Sequence, residues 1–309
     1  MNREIFSRLS NVYNIRFKAY KPVTANTYKV ICENGNNYFI KKSNPLVQQK
    51  YQFLYDQGIK NILYPIKNNY GRFLTANNYN SYYVTNYIKD NTVVNEVKAV
   101  NLLDELANVH FNTYFKKQLS VDFSRRKMEE LYEYLQYKFN MLESFVRTVE
   151  TRPFDEYSII ILKNYRYILD GKKILSEIHK RLVSDIKSKK SVNFAFVHNN
   201  PKLNHLLNSA GNRYLISIDK AKIGISSLDL AKYYIECEDL KLDFKSIINN
   251  YFSKYEDDFY QDYFYFLVLL YYFKGFIVLD KDYVTSQNFL YVSEQIKKLI
   301  NDFNLSDRL

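Results

Sequence analysis

Val197-His198-Asn199-Asn200-Pro201-Lys202-Leu203-Asn204-His205-Leu206-Leu207 is the most informative segment of the chain. An apolar run, Phe194 to Val197, stops at a histidine. A polar loop broken by Pro201 follows, with amides and a second histidine, and then apolar residues resume. A second apolar run, Tyr214 to Ile218, comes after Gly211 and leads to Asp219. Two short strands flanking a polar loop are expected here, the arrangement in which a scaffold presents side chains to a ligand.

Before this segment the chain changes character once. Tyr13 to Tyr20 alternates, Thr27 to Glu33 is rich in β-formers, and Asn34-Gly35-Asn36-Asn37 tolerates the positive φ of a hairpin turn before Tyr38 to Lys41. A helix is expected from Pro45 to Gln57 with Gly58 as its stop, then strands at Ile62 to Ile66, Gly71 to Thr75 and Tyr82 to Ile88. From Val93 to Phe111 the apolar spacing becomes helical, with Val100, Leu103, Leu106 and Ala107 on one side. Long amphipathic stretches cover Phe123 to Thr148 and Tyr157 to Ile186, the second divided at Asp170-Gly171. Helices resume from Ser227, with Asp229 as an expected cap. The expectation is an α+β chain with a strand-rich part over residues 1–88 and a helical part over 89–309, the latter carrying a long helical insertion at about 111–193.

The loop frame resembles the catalytic loop of aminoglycoside and choline phosphotransferases, His-Gly-Asp, four residues, Asn and two apolar residues. Leu215-Ile216-Ser217-Ile218-Asp219, Gly224 and Leu228-Asp229-Leu230-Ala231 resemble that family's Leu-Ile-Asp-Trp-Asp segment and its following helix start. Upstream, Leu106-Ala107-Asn108-Val109-His110 is similar to its Leu-Ala-x-Leu-His helix end, and Tyr38-Phe39-Ile40-Lys41 to its lysine-bearing third strand. The matches occur in family order, and the insertion is more like the spore-coat kinase-like branch. The resemblance implies a bilobal protein-kinase-like fold and a site for ATP and Mg²⁺.

Residue by residue, the resemblance makes Lys41 the phosphate-contacting lysine and His198 a brace for the loop. Asn200 falls at the catalytic aspartate position, His205 at the metal asparagine, and Ser217 at the metal aspartate, with Asp219 two positions on. Phosphoryl transfer works by positioning and charge stabilisation, with bound magnesium and a carboxylate at the acceptor hydroxyl. An amide cannot take the hydroxyl's proton. Imidazole is a poor ligand for hard Mg²⁺, and a serine adds no charge. In an extended strand Asp219 would share a face with Ser217 but stand about 6–7 Å away. The helix after Lys41 offers Gln48 and Gln49 where an acidic partner is expected, and the segment Lys21 to Asn26 has no glycine for close approach to phosphates.

Lys+Arg 44 against Asp+Glu 33 gives a net charge of +11, distributed along the chain, so nucleic acid is a weak candidate partner. The two cysteines, Cys32 and Cys237, have no zinc or disulfide spacing. Met1 to Ser10 lacks a secretory apolar run, so a cytoplasmic location is the expectation, and the resemblance implies association with a spore. Tyr263 to Leu279 is almost wholly apolar, but its aromatic content and Lys274 favour a buried helix over a membrane span. Three function classes follow. The first is a pseudokinase that holds a nucleotide or small molecule without metal or serves as a scaffold, with a protein partner in a spore coat. The others are an active ATP-dependent phosphotransferase for a small hydroxylated or amino compound, and a basic protein binding nucleic acid or a surface polymer.

Overall fold

The computed structural model describes residues 3–77, 80–255, 257–277 and 282–308. It divides into two compact units, one of residues 1–114 and 195–224, the other of 115–194 and 225–309.

The first unit opens with helix α1 (Arg3–Tyr13), where an alternating strand was expected to begin at Tyr13. Leu9 and Tyr13 are buried against Val30, Ile40 and Val84, while the remaining face is polar. Asn14, at φ 52°, turns the chain out of the helix. Strands β1 (Phe17–Thr24), β2 (Thr27–Cys32) and β3 (Asn37–Ser43) follow. β1 and β2 stay paired to Thr24 and Thr27, so the expected loop from Lys21 is a turn of only Ala25 and Asn26. The β2–β3 turn has Gly35 at φ 80°, with the Asn36 N–H bonded to Asn34 Oδ1 at 3.1 Å.

Helix α2 (Val47–Asp56) buries Val47, Tyr51 and Leu54 at i, i+4 and i+7, and Gly58 follows at φ 69°. It starts two residues later than Pro45 because Asn44 turns the chain, its Oδ1 accepting from Leu46 N at 2.8 Å. Ile62 to Ile66 is not a strand. Ile62 forms a single bridge with Leu215 and the Ile66 N–H bonds to the Val84 oxygen at 2.8 Å, whereas over the expected strand Gly71 to Thr75 Asn68 takes the bonds, with Oδ1 accepting from Tyr70 and Arg72 and Nδ2 donating to Leu74 and Thr75. Pairing resumes in β4 (Thr75–Asn77) and β5 (Asn80–Asn86), giving an antiparallel sheet of order β1-β2-β3-β5-β4.

Helix α3 (Asn95–Asn112) buries Ala99, Leu102, Leu103, Leu106, Val109 and His110. The buried stripe is rotated from the expected one, leaving Val100 37 % exposed. In the second unit β6 (Phe115–Gln118), α4 (Val121–Thr151) and α5 (Glu156–Ser188) follow, α5 opened by a capping box between Asp155 and Ser158. β7 (Ser191–Val197) begins in this unit paired to β6 and ends in the first unit paired to β10 (Lys222–Gly224). Between them β8 (Leu206–Ser209) and β9 (Asn212–Leu215) form a hairpin whose two central residues, Ala210 and Gly211, both have positive φ, the geometry of a type I′ turn.

The second unit ends with α6 (Ser227–Cys237), α7 (Phe244–Phe252), α8 (Phe259–Gly275) and α9 (Asp282–Phe303). Asp229 lies fully buried in the first turn of α6 and is not its cap, which falls at Ser226. α8 is buried almost all round, which explains an apolar stretch with little periodicity. Residues 278 and 279 of that stretch lie outside the described residues, among which no helix is long and apolar enough to cross a membrane.

Asp170-Gly171 does not divide α5. Gly171 is there for packing: a Cβ on it would stand 2.8 Å from Ile296 Cγ2 of α9 and 3.5 Å from Phe273 of α8. Ile296 is fully buried and cannot step aside into solvent. Alanine in mid-helix gains about 1 kcal/mol of propensity over glycine, whereas overpacking costs about 1–3 kcal/mol. Gly171→Ala is therefore expected to lower Tm in a thermal melt; an unchanged or raised Tm would contradict this packing account.

Candidate functional site

Lys41 sits in β3 between Thr27 of β2 and Tyr83 of β5. Strand alternation sends Ile40 into the core, fully buried, and Lys41 and Ser43 together to the other face. Both reach Asp219. Lys41 Nζ donates to Oδ2 at 2.5 Å, and the Ser43 hydroxyl donates to Oδ1. Tyr83, directly across from Lys41, places its hydroxyl 3.5 Å from Oδ2. From α2, Lys50 Nζ donates to the backbone oxygen of Asp219 at 2.5 Å. All of these residues belong to the first compact unit.

The segment carrying Asp219 is not the strand expected through Ile218. β9 ends at Leu215, Ser217 is left-handed at φ 62° and ψ 41°, and residues Ile218–Lys220 form a turn of 3-10 helix. A non-glycine residue there costs about 1–2 kcal/mol, so the surroundings must hold it. Buried Ile218 anchors the turn, and Ile216 is fixed on both sides, its N–H bonded to the His205 oxygen at 2.9 Å and its oxygen accepting from His198 Nε2 at 2.8 Å. β9 itself is pinned by Leu63 N to Leu215 O at 3.0 Å and by Arg213 Nε to Glu105 at 2.6 Å. The expected separation of Ser217 and Asp219 along a strand is thereby removed. Their side chains converge on one ammonium, Ser217 Oγ at 3.5 Å and Asp219 Oδ2 at 2.5 Å from Lys41 Nζ.

Burial alone would raise the Asp219 carboxyl, but the Lys41 charge and the bonds from Lys41 and Ser43 outweigh it and hold the group below the usual aspartate range. Burial pushes Lys50 down, with Asp219 pulling it back. Tyr83 is raised well above an ordinary phenol by burial and then by Tyr51 and Asp219, so it is a neutral hydroxyl.

The other expected residues gather on the neighbouring loop. Asn200 is half-buried, and its backbone oxygen accepts from His205 Nδ1 at 2.8 Å. The His198 and His205 rings are 5.4 Å apart. Burial, then the His198 charge, with smaller contributions from Lys41 and Lys202, push His205 down to about 4, so its imidazole is neutral at pH 7. Asn199, also left-handed at φ 59°, donates from Nδ2 to Lys220 O at 3.0 Å and ties this loop to the Asp219 turn.

These residues do not fit the paired magnesium ions that phosphoryl transfer uses. Among the described residues no group of three or more His, Cys, Asp and Glu side chains is placed to hold a metal ion. The one carboxylate at the centre of the site already takes bonds from Lys41 and Ser43, and hard Mg²⁺ prefers charged oxygen ligands. An oxyanion fits better, since ammonium and hydroxyl donors surround the position. Sequence reasoning missed Ser43, Lys50 and Tyr83. Ser43 was signalled by its i+2 spacing from Lys41, whereas Lys50 lies on a helix searched for an acid and Tyr83 is located only by sheet register.

No protein-family model matches the sequence, and no curated protein matches it. Solved structures do. An aminoglycoside phosphotransferase from Alicyclobacillus acidocaldarius superposes with a TM-score of 0.64 at 12 % identity, over 100 % of this chain and 97 % of that one. The AMP-bound complex of a spectinomycin phosphotransferase gives a TM-score of 0.53 at 14 % identity, over 96 % of this chain and 98 % of that one. The chain therefore has the protein-kinase-like fold of the aminoglycoside phosphotransferases, a strand-rich N-terminal sheet followed by a mainly helical part.

Asp219→Asn keeps the shape and removes the charge. Breaking a partly buried pair is expected to cost about 1–3 kcal/mol at pH 7, between the values for exposed and buried pairs. Because the folded-state pKa is depressed, the wild-type advantage is present above the unfolded aspartate value near 3.9 and is lost as pH falls through the folded value. Urea melts of both proteins from pH 7 downward should show the difference shrinking below about pH 4. A difference constant down to pH 3 would contradict the pairing.

Proposed function

We propose that the protein is a kinase-fold protein that does not transfer phosphate, serving as a binding scaffold or as a holder of a nucleotide or small molecule without metal. The observation that carries this reading is that both carboxylate oxygens of Asp219 are already bonded, one to Lys41 and one to Ser43. Asn200 adds to it, because an amide at the base position cannot accept a proton from an attacking hydroxyl. Ser217 and His205 contribute no negative charge, His205 being neutral at pH 7. A spore-coat setting and a protein partner there rest on the sequence resemblance alone. The competing reading, an active ATP-dependent phosphotransferase for a small hydroxylated or amino compound, draws on a fold shared over the whole chain with an aminoglycoside phosphotransferase.

Magnesium ATP, incubated with the protein and a panel of aminoglycosides and small polyols, is expected to give no ADP above the protein-free rate. Sustained ADP release would establish the active reading. The double variant Asn200→Asp with Ser217→Asp restores two carboxylates beside Asp219. It is expected to gain a magnesium-dependent rise in Tm that the parent lacks, since a ligand bound only by the folded state stabilises it. A folded double variant indifferent to magnesium would show that these positions do not face the metal site.

A further inference from the structure

We infer that Lys50 is a built-in replacement for the metal ion, making the Lys41–Asp219 site a receptor for a phosphate group free of divalent cation. The inference rests on the reading above for the site's residues and adds the charge state of the ligand and the residue that sets it. Lys50 comes from α2, the helix in which an acid was expected to pair with the strand lysine. It is anchored at the same residue as Lys41, on the backbone oxygen of Asp219 at 2.5 Å, while Lys41 holds Oδ2 at 2.5 Å. Their neighbours Ser43, Ser217 and Tyr83 are neutral hydroxyls.

Two ammonium groups are thus fixed at one aspartate, Lys41 on its carboxylate and Lys50 on its backbone oxygen, a local excess of one positive charge. In a site built for magnesium the balance runs the other way, with carboxylates in excess and the metal supplying the positive charge. A divalent cation brought to the Asp219 carboxylate would be repelled by the ammonium already bonded to it and by the second one on the same residue's carbonyl, and attraction and repulsion both scale with its own charge. A phosphate group meets the reverse balance. An ammonium has three donors; Lys41 directs one to Asp219 and one at 3.5 Å to Ser217, and Lys50 directs one to Asp219. The site is reachable, for the Lys41 and Asp219 side chains each keep 24 % of their exposure. The terminal phosphate of a nucleoside diphosphate and free pyrophosphate share the required chemistry.

Calorimetric titration of the full chain with ADP and with sodium pyrophosphate, each in EDTA and in magnesium chloride, tests the inference. Binding in EDTA is expected to be at least as tight as in magnesium. Lys50→Gln should weaken it about tenfold, on the scale of one charge-assisted hydrogen bond, and Lys50→Arg should largely preserve it. ADP binding alone supports the inference with a nucleotide as the source of the phosphate, and equal binding of pyrophosphate supports it with the phosphate group sufficient. Binding of either probe only with magnesium, no binding of either in EDTA, or an undiminished affinity in folded Lys50→Gln would overturn it. Turnover of magnesium ATP sinks the non-catalytic reading, whereas loss of EDTA binding without turnover sinks only this inference.

Discussion

One carboxylate organises the candidate site. Asp219 joins Lys41, 178 residues away along the chain, to Ser43 on the same strand and to Lys50 on the following helix. This contact brings β3, α2 and the turn after β9 together. The pair is partly buried, and beyond its stabilisation it has a geometric effect. It fixes where Lys41, Lys50 and Asp219 stand.

The local structure around it is arranged to make that contact possible. Ser217 accepts a left-handed backbone, and the cost is carried by the buried Ile218 side chain, by the bond from His198 Nε2 to the Ile216 oxygen and by the bond from the Ile216 N–H to the His205 backbone oxygen. The histidines thus act through the backbone they hold. The same donors that make the site rigid occupy the oxygens that a cation would need, so stability and metal chemistry compete for one side chain. Lys50 on α2 shifts the charge balance further in the same direction.

Much of the fold was readable because local chemistry and tertiary structure agree. The Asn34 to Asn37 turn, the strand carrying Lys41, Gly58 as a helix stop and the long helices after Ser120 all have strong local signals. The failures are those in which distant contacts decide. α1 shows only Leu9 and Tyr13 as fully buried residues, too few to mark a helix by periodicity. Ile62 to Ile66 has strand composition but forms a single bridge through Ile62, and the Gly71 to Thr75 stretch is bonded to Asn68 up to Leu74. Asp170-Gly171 resembles a break, yet Gly171 is small because Ile296 lies against it. Lys41 and Asp219 were both nominated from the sequence, but their contact was not, since one positive φ at Ser217 cannot be foreseen in a serine. Lys50 and Tyr83 carry no signal of their own and enter the site through helix placement and strand register.

A double-mutant cycle on Lys41→Met and Asp219→Asn, with stability read from denaturant melts at neutral pH and low salt, addresses the central contact directly. The close, partly buried geometry predicts a favourable coupling of about 1–3 kcal/mol between the two side chains. Additive single effects, with a coupling indistinguishable from zero, would mean that Asp219 does not hold Lys41 in solution and that the site is open to a metal after all.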